Sequence, residues 1–301
     1  MIGGRSGSAV MSVVLAVGAT GLCFGLRSPS PAGADPPAAA GRAVELARAL
    51  NRADAAIDSM IQLLESSVEE ARRGAALAVA GNEPPAPPLR AAADRLEPGL
   101  ATVDEAQRAM AALAGVAAAT APTLQLPELA ADRAAVTSIA SQLRDAAGAA
   151  TVFVERRHSA DIVLQALQDG VAAVESNDPH AALDRIDEAR AAFEVLTSWA
   201  QPPAALAVWL GTTHDLIDAT AAIAGATISG DQPALDAARI RYADAAAATR
   251  QADSALAIAL AEGGSATTSV PLRRLASLLA SAAAVRASLA SMLAQPVPSP
   301  G

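Results

Sequence analysis

Apolar residues in this chain recur at alternating steps of four and three, a spacing that confines most of it to amphipathic helices. Leu46, Leu50, Ala53, Ile57, Met60 and Leu64 set the pattern, placing one apolar seam along a helix from about residue 39 to residue 80. At 1.5 Å per residue that helix is about 60 Å long. Val136, Ile139, Leu143, Ala146, Ala150 and Phe153 keep the same step, and Ala160, Leu164, Leu167, Val171 and Val174 resume it. Only Arg157 interrupts this seam, so residues 128–176 read as one helix or as two meeting near His158.

What fills the seams narrows the fold further. Apolar residues make up 52% of the chain but aromatics only 2%, so the seams are built of Ala, Leu and Val. Ala is the strongest helix former, and small side chains let helix axes approach to the short end of the usual range of about 8–10 Å. Thin cores of this kind leave little room for a large pocket. No segment alternates β-branched and polar residues as a half-buried strand does. The expected class is all-α, with six to seven long Ala/Leu-rich amphipathic helices in one or two antiparallel bundles.

Pro and Gly mark the expected boundaries. Glu83 to Pro88 reads as a stiff linker (83–89) between a long first helix (35–82) and a helical bundle (90–294). Pro98-Gly99 should kink or split residues 89–119. Further breaks are expected at Pro122–Pro127, Asn177-Asp178-Pro179, Gln201-Pro202-Pro203, Gly230–Pro233 and Gly263–Pro271, with a disordered Pro-rich tail at 295–301. Asp178 and Asp231 each sit where a helix begins and can accept from the free N–H groups of its first turn. The apolar positions after the two starts align poorly, which favours shared cap chemistry over duplication. The 34-residue period of tetratricopeptide repeats is absent.

The N-terminus carries an export pattern. Arg5 precedes an uncharged run from Ser6 to Leu26, and Ala32-Gly33-Ala34 supplies small residues for cleavage after Ala34. The alternative is a retained anchor, because residues 6–26 are long enough to span a bilayer of about 30 Å. A lipid-modified Cys23 fits poorly, since Thr20 and Leu22 reverse the usual order of aliphatic and small residues. Cleavage leaves a chain without cysteine, which excludes disulfides, thiolate-bound zinc and thiol catalysis. The expected location is therefore extracytoplasmic, secreted or held at the envelope.

Charge excludes other classes. The net charge is −9, and removing residues 1–34 takes away two arginines and no acid, leaving −11. A polyanion such as nucleic acid is repelled by such a surface. All 22 basic residues are arginine, so chemistry that needs a lysine amine is excluded. The three histidines are His158, His180 and His214. Glu155 and His158 have the spacing of half a di-iron carboxylate site, but no second such pair exists. No catalytic residue, metal site or cofactor is expected.

One corner stands out as a ligand or partner patch: Trp199, Trp209, His214, Asp215 and Asp218. Both tryptophans of the chain flank it, and His214 and Asp218 are four apart on one helix face. The expectation is a non-enzymatic exported bundle acting through contacts with an unidentified envelope protein. The alternative is a small-ligand or metal-binding bundle using the Trp209/His214/Asp218 corner. Oligomeric state is open on the sequence alone.

Overall fold

Seven helices form the regular structure of residues 36–294, which are the residues described by a computed structural model. They are α1 (Pro36–Ala80), α2 (Ala86–Leu96), α3 (Leu100–Thr120), α4 (Arg133–Glu175), α5 (Pro179–Thr197), α6 (Ala204–Ser229) and α7 (Gln232–Ala294). The fold is all-α, and no strand occurs among the described residues. The segment expected to direct export and the Pro-rich tail lie outside the described residues.

Local chemistry sets the helix ends. The carboxylates of Asp132, Asp178 and Asp231 accept from the N–H groups of Ala135, Ala181 and Ala234 at 2.7, 3.0 and 3.0 Å. Just before two of these caps the chain turns through left-handed residues, Asn177 (φ 62°) and Gly230 (φ 67°). The next N–H, of Asp178 or Asp231, then reaches back to the carbonyl of Ala173 or Ala226. The same turn thus closes the α4–α5 and α6–α7 hairpins, which explains why the two starts look alike.

The apolar seams assemble into two cores. The first gathers Ile57 and Leu64 from α1, Leu96 from α2, Leu113 from α3, Leu143 from α4 and Leu289 from α7. The second gathers Leu167 from α4, Ile186 from α5, Trp209 and Ile217 from α6, and Leu256 from α7. Helices α4 and α7 run through both cores and join them end to end. At its full length α7 spans about 95 Å. It runs antiparallel to α1: Arg286, near the C-terminal end of α7, pairs with Asp58 midway along α1, and Gly264, midway along α7, backs onto Ala78 near the C-terminal end of α1.

Arg157, the one charge in the α4 seam, lies where the cores meet. Its guanidinium bridges Asp161 on α4 (2.9 Å) and Asp253 on α7 (3.1 Å). Helix α4 is therefore continuous past His158, because the interrupting charge is paired rather than forced into an apolar core. Burial pushes the Asp161 carboxyl above the ordinary aspartate value, with the Arg157 charge pulling the other way. The other inter-helix pairs, such as Arg144 with Glu97 and Asp94, are more exposed and contribute on the order of 1 kcal/mol or less each.

Four expectations need correction. The Pro-rich linker is shorter, because α2 begins at Ala86 and takes Pro87 and Pro88 into its first turn. There the missing N–H of proline costs no helical hydrogen bond. The first helix is not set apart from the bundle, since Leu50, Ile57, Met60 and Leu64 sit inside the first core. Helix α4 starts at Arg133 rather than 128, because Leu129 and Ala131 are buried in extended chain. Their carbonyls accept from Gln107 Nε2 at 3.3 and 2.7 Å.

The largest correction is in α7, which continues through Gly263, Gly264 and Pro271 without a break. A Cβ at Gly263 would lie 2.4 Å from Phe153 Cε1, and one at Gly264 would lie 2.6 Å from the Ala78 carbonyl oxygen. These glycines are notches that let α1 and α4 close onto α7. Beyond Pro271, Leu275, Val285 and Leu289 are buried in the first core, and that packing outweighs the local helix penalty of about 3 kcal/mol for proline.

Candidate functional site

Helix geometry parts the two tryptophans but leaves the Phe193 ring 6.4 Å from both Trp209 and His214. Trp209 and His214 are five residues apart, so they point about 140° away from each other around α6. Trp209 is fully buried in the second core, stacked on Phe193 at a ring separation of 6.4 Å. Trp199 turns instead towards α4, meeting Phe153 edge-on at 5.5 Å and lying 6.0 Å from the Arg156 guanidinium. The two tryptophans therefore do not form one surface patch. His214 and Asp218 do share a face, with Nδ1 and Oδ2 3.6 Å apart and both side chains more than half exposed.

Two members of the expected patch meet α7. Asp215 and Asp218 on α6, with Arg241 and Asp244 on α7, line an open concavity of about 500 Å³ floored by alanine. The open groove between α1 and α3, about 750 Å³, has Arg48, Arg52 and Arg108 interleaved with Glu45 and Glu105. Open grooves of this size occur despite the thin Ala-rich cores, because they lie between helices rather than within a core. Among the described residues no group of three or more His, Cys, Asp or Glu side chains is placed to hold a metal ion.

Sequence spacing alone did not single out the outer face of α7. Ile240 and Ile258 are 66% and 61% exposed. They lie 18 residues, or five full turns, apart and so point the same way. Ala243, Ala247 and Ala255 lie exposed between them, and Asp236, Asp244 and Glu262 fall on the same side. The signal was present: both isoleucines are out of phase with the buried positions Ala238, Thr249, Ala252 and Leu256. Helix α7 is also long and apolar enough to cross a membrane by length and composition, with 22% of its most apolar window buried. Its other side supplies buried residues to both cores.

Fold and face together define an all-α double bundle with an exposed apolar and acidic surface along its longest helix. The chain matches no protein-family model, no curated protein and no solved structure.

Proposed function

We propose that this is an exported, non-enzymatic helical-bundle protein that works through contacts with another protein of the cell envelope. Its partner docks a basic amphipathic helix along the outer face of α7. The observation that carries this reading is the pair Ile240 and Ile258, two large side chains exposed on one line of a helix anchored in both cores. Burying one such side chain stabilises a complex by about 1.5–3 kcal/mol. Asp236, Asp244 and Glu262 on the same side favour a positively charged partner. Export rests on Arg5, the uncharged run and the Ala32-Gly33-Ala34 triplet.

A photo-crosslinking residue at Ala247, between the isoleucines, tests this in the native cell envelope. The expected result is one crosslinked protein, reduced about tenfold or more by Ile240→Asp or by Asp244→Arg. Neither side chain is buried, so both variants should keep wild-type stability within about 0.5 kcal/mol. Labelling no stronger than from a crosslinker at Val44, or labelling indifferent to both variants, contradicts the reading.

A further inference from the structure

A second cleft, of about 420 Å³, opens where α4, α6 and α7 meet, on a different side of α7 from the isoleucine face. Its volume falls in the range of small-molecule sites, about 300–1,000 Å³. Leu164 and Leu167 from α4, Leu216 from α6 and Ala246 from α7 supply the apolar part of its wall. Around them stand Gln168, Tyr242, Thr249 and Arg250, all able to donate hydrogen bonds.

Thr249 supplies an unpartnered buried hydroxyl at the wall of this cleft, as Thr213 does elsewhere, on α6. Threonines within helices here commonly donate to the carbonyl four residues back: Thr120, Thr151, Thr220, Thr227 and Thr267 all do so, at 2.7–2.8 Å. Thr249 does not, and its hydroxyl is buried with no hydrogen-bond partner while the residue is only 1% exposed. A buried hydroxyl left in that state is destabilising. A ligand that reaches it relieves that cost.

Charge indicates which ligand. Asp253, the acidic member of the wall, is already engaged by Arg157. Arg250 has no ion pair among the described residues. Burial pushes the Tyr242 phenol above its ordinary value, partly offset by the Arg250 charge and reinforced by that of Glu175, so it remains a donor at neutral pH. The cleft therefore combines an apolar wall with neutral donors, one cation in Arg250 and one carboxylate already paired with Arg157.

We infer that the α4–α6–α7 cleft binds an aliphatic carboxylate, with its chain on Leu164, Leu167 and Leu216 and its carboxylate received by Arg250, Tyr242 and Thr249. This inference is independent of the partner-docking reading and involves none of the residues tested there.

Titration calorimetry of the full chain with decanoate tests it, with 1-decanol as the uncharged comparison. Saturable one-to-one binding of decanoate is expected, weakened about tenfold or more by Arg250→Gln. Thr249→Val keeps the side-chain shape, so it should raise thermal stability and at the same time weaken decanoate binding. A merely structural orphan hydroxyl would give the first change without the second. The inference is overturned by an absence of saturable binding, by affinity unchanged in both variants, or by decanol binding as tightly as decanoate.

Discussion

Replacing Trp209 with alanine is expected to cost about 3–5 kcal/mol, the largest effect of any single side-chain truncation in the second core. Trp209 is the bulkiest fully buried side chain in the molecule, and Phe193 stacks on its ring. Truncation leaves a cavity walled by α4, α5, α6 and α7 helices that share one core and cannot all move inwards together. The indole also carries a liability, since its Nε1–H is buried without an acceptor. Trp209→Phe loses part of the packing but also removes that unpaired donor, worth about 1–3 kcal/mol. Chemical unfolding should therefore place Trp209→Phe within about 1 kcal/mol of the natural chain, and Trp209→Ala far below both. Equal losses in the two variants would mean that the N–H finds a partner.

Gly264→Ala is the second large effect, and its sign runs against helix propensity. In an exposed helix interior, glycine to alanine stabilises by up to about 1 kcal/mol. At Gly264 the added Cβ would fall 2.6 Å from the Ala78 carbonyl oxygen, a backbone atom that cannot rotate away. Helices α1 and α7 must separate at the waist of the molecule, and overpacking of this kind costs about 1–3 kcal/mol. Gly115→Ala in α3 is the internal comparison, because no atom lies within 4 Å of its added Cβ. Thermal melts should move in opposite directions, down for Gly264→Ala and up for Gly115→Ala. Two upward shifts would show that α1 does not press on α7 at this point.

The difference between those glycines shows what the sequence could and could not reveal. Asp178 and Asp231 were legible as helix starts because a cap needs only its own first turn, and both carboxylates make the expected bond. The four-three seams likewise identified Ile57, Leu64, Leu143 and Leu167, all fully or almost fully buried. Gly263-Gly264 and Pro271 read as a break because their local propensity is poor. Whether such residues end a helix depends on what lies across from them, here Ala78, Phe153 and the first core. Pro87 and Pro88 were misleading for a related reason, since proline is compatible with a first turn and the linker ends just before it.

The candidate site was legible only where spacing matches the helix. His214 and Asp218, four apart, do meet on one face. Trp209 and His214, five apart, leave α6 in different directions, one buried and one exposed, and meet only through the Phe193 ring of α5, which the spacing in α6 does not signal. Asp244 and Arg241, which complete the concavity beside Asp215 and Asp218, come from the next helix. Nothing in α6 signals that pairing, because hairpin register is set by packing over the whole core.

The central structural claim is that α7 is one unbroken helix joining two cores into a single unit. Pulsed spin-label distances between Gln251→Cys and Ser277→Cys, in a Cys23→Ser background, test it most directly. The two positions are exposed and flank Gly263, Gly264 and Pro271. Separated by 26 residues of continuous helix, they should give one narrow peak near about 39 Å. A broad distribution, or a peak well short of that distance, would mean that the helix breaks at the waist and that the two cores move independently.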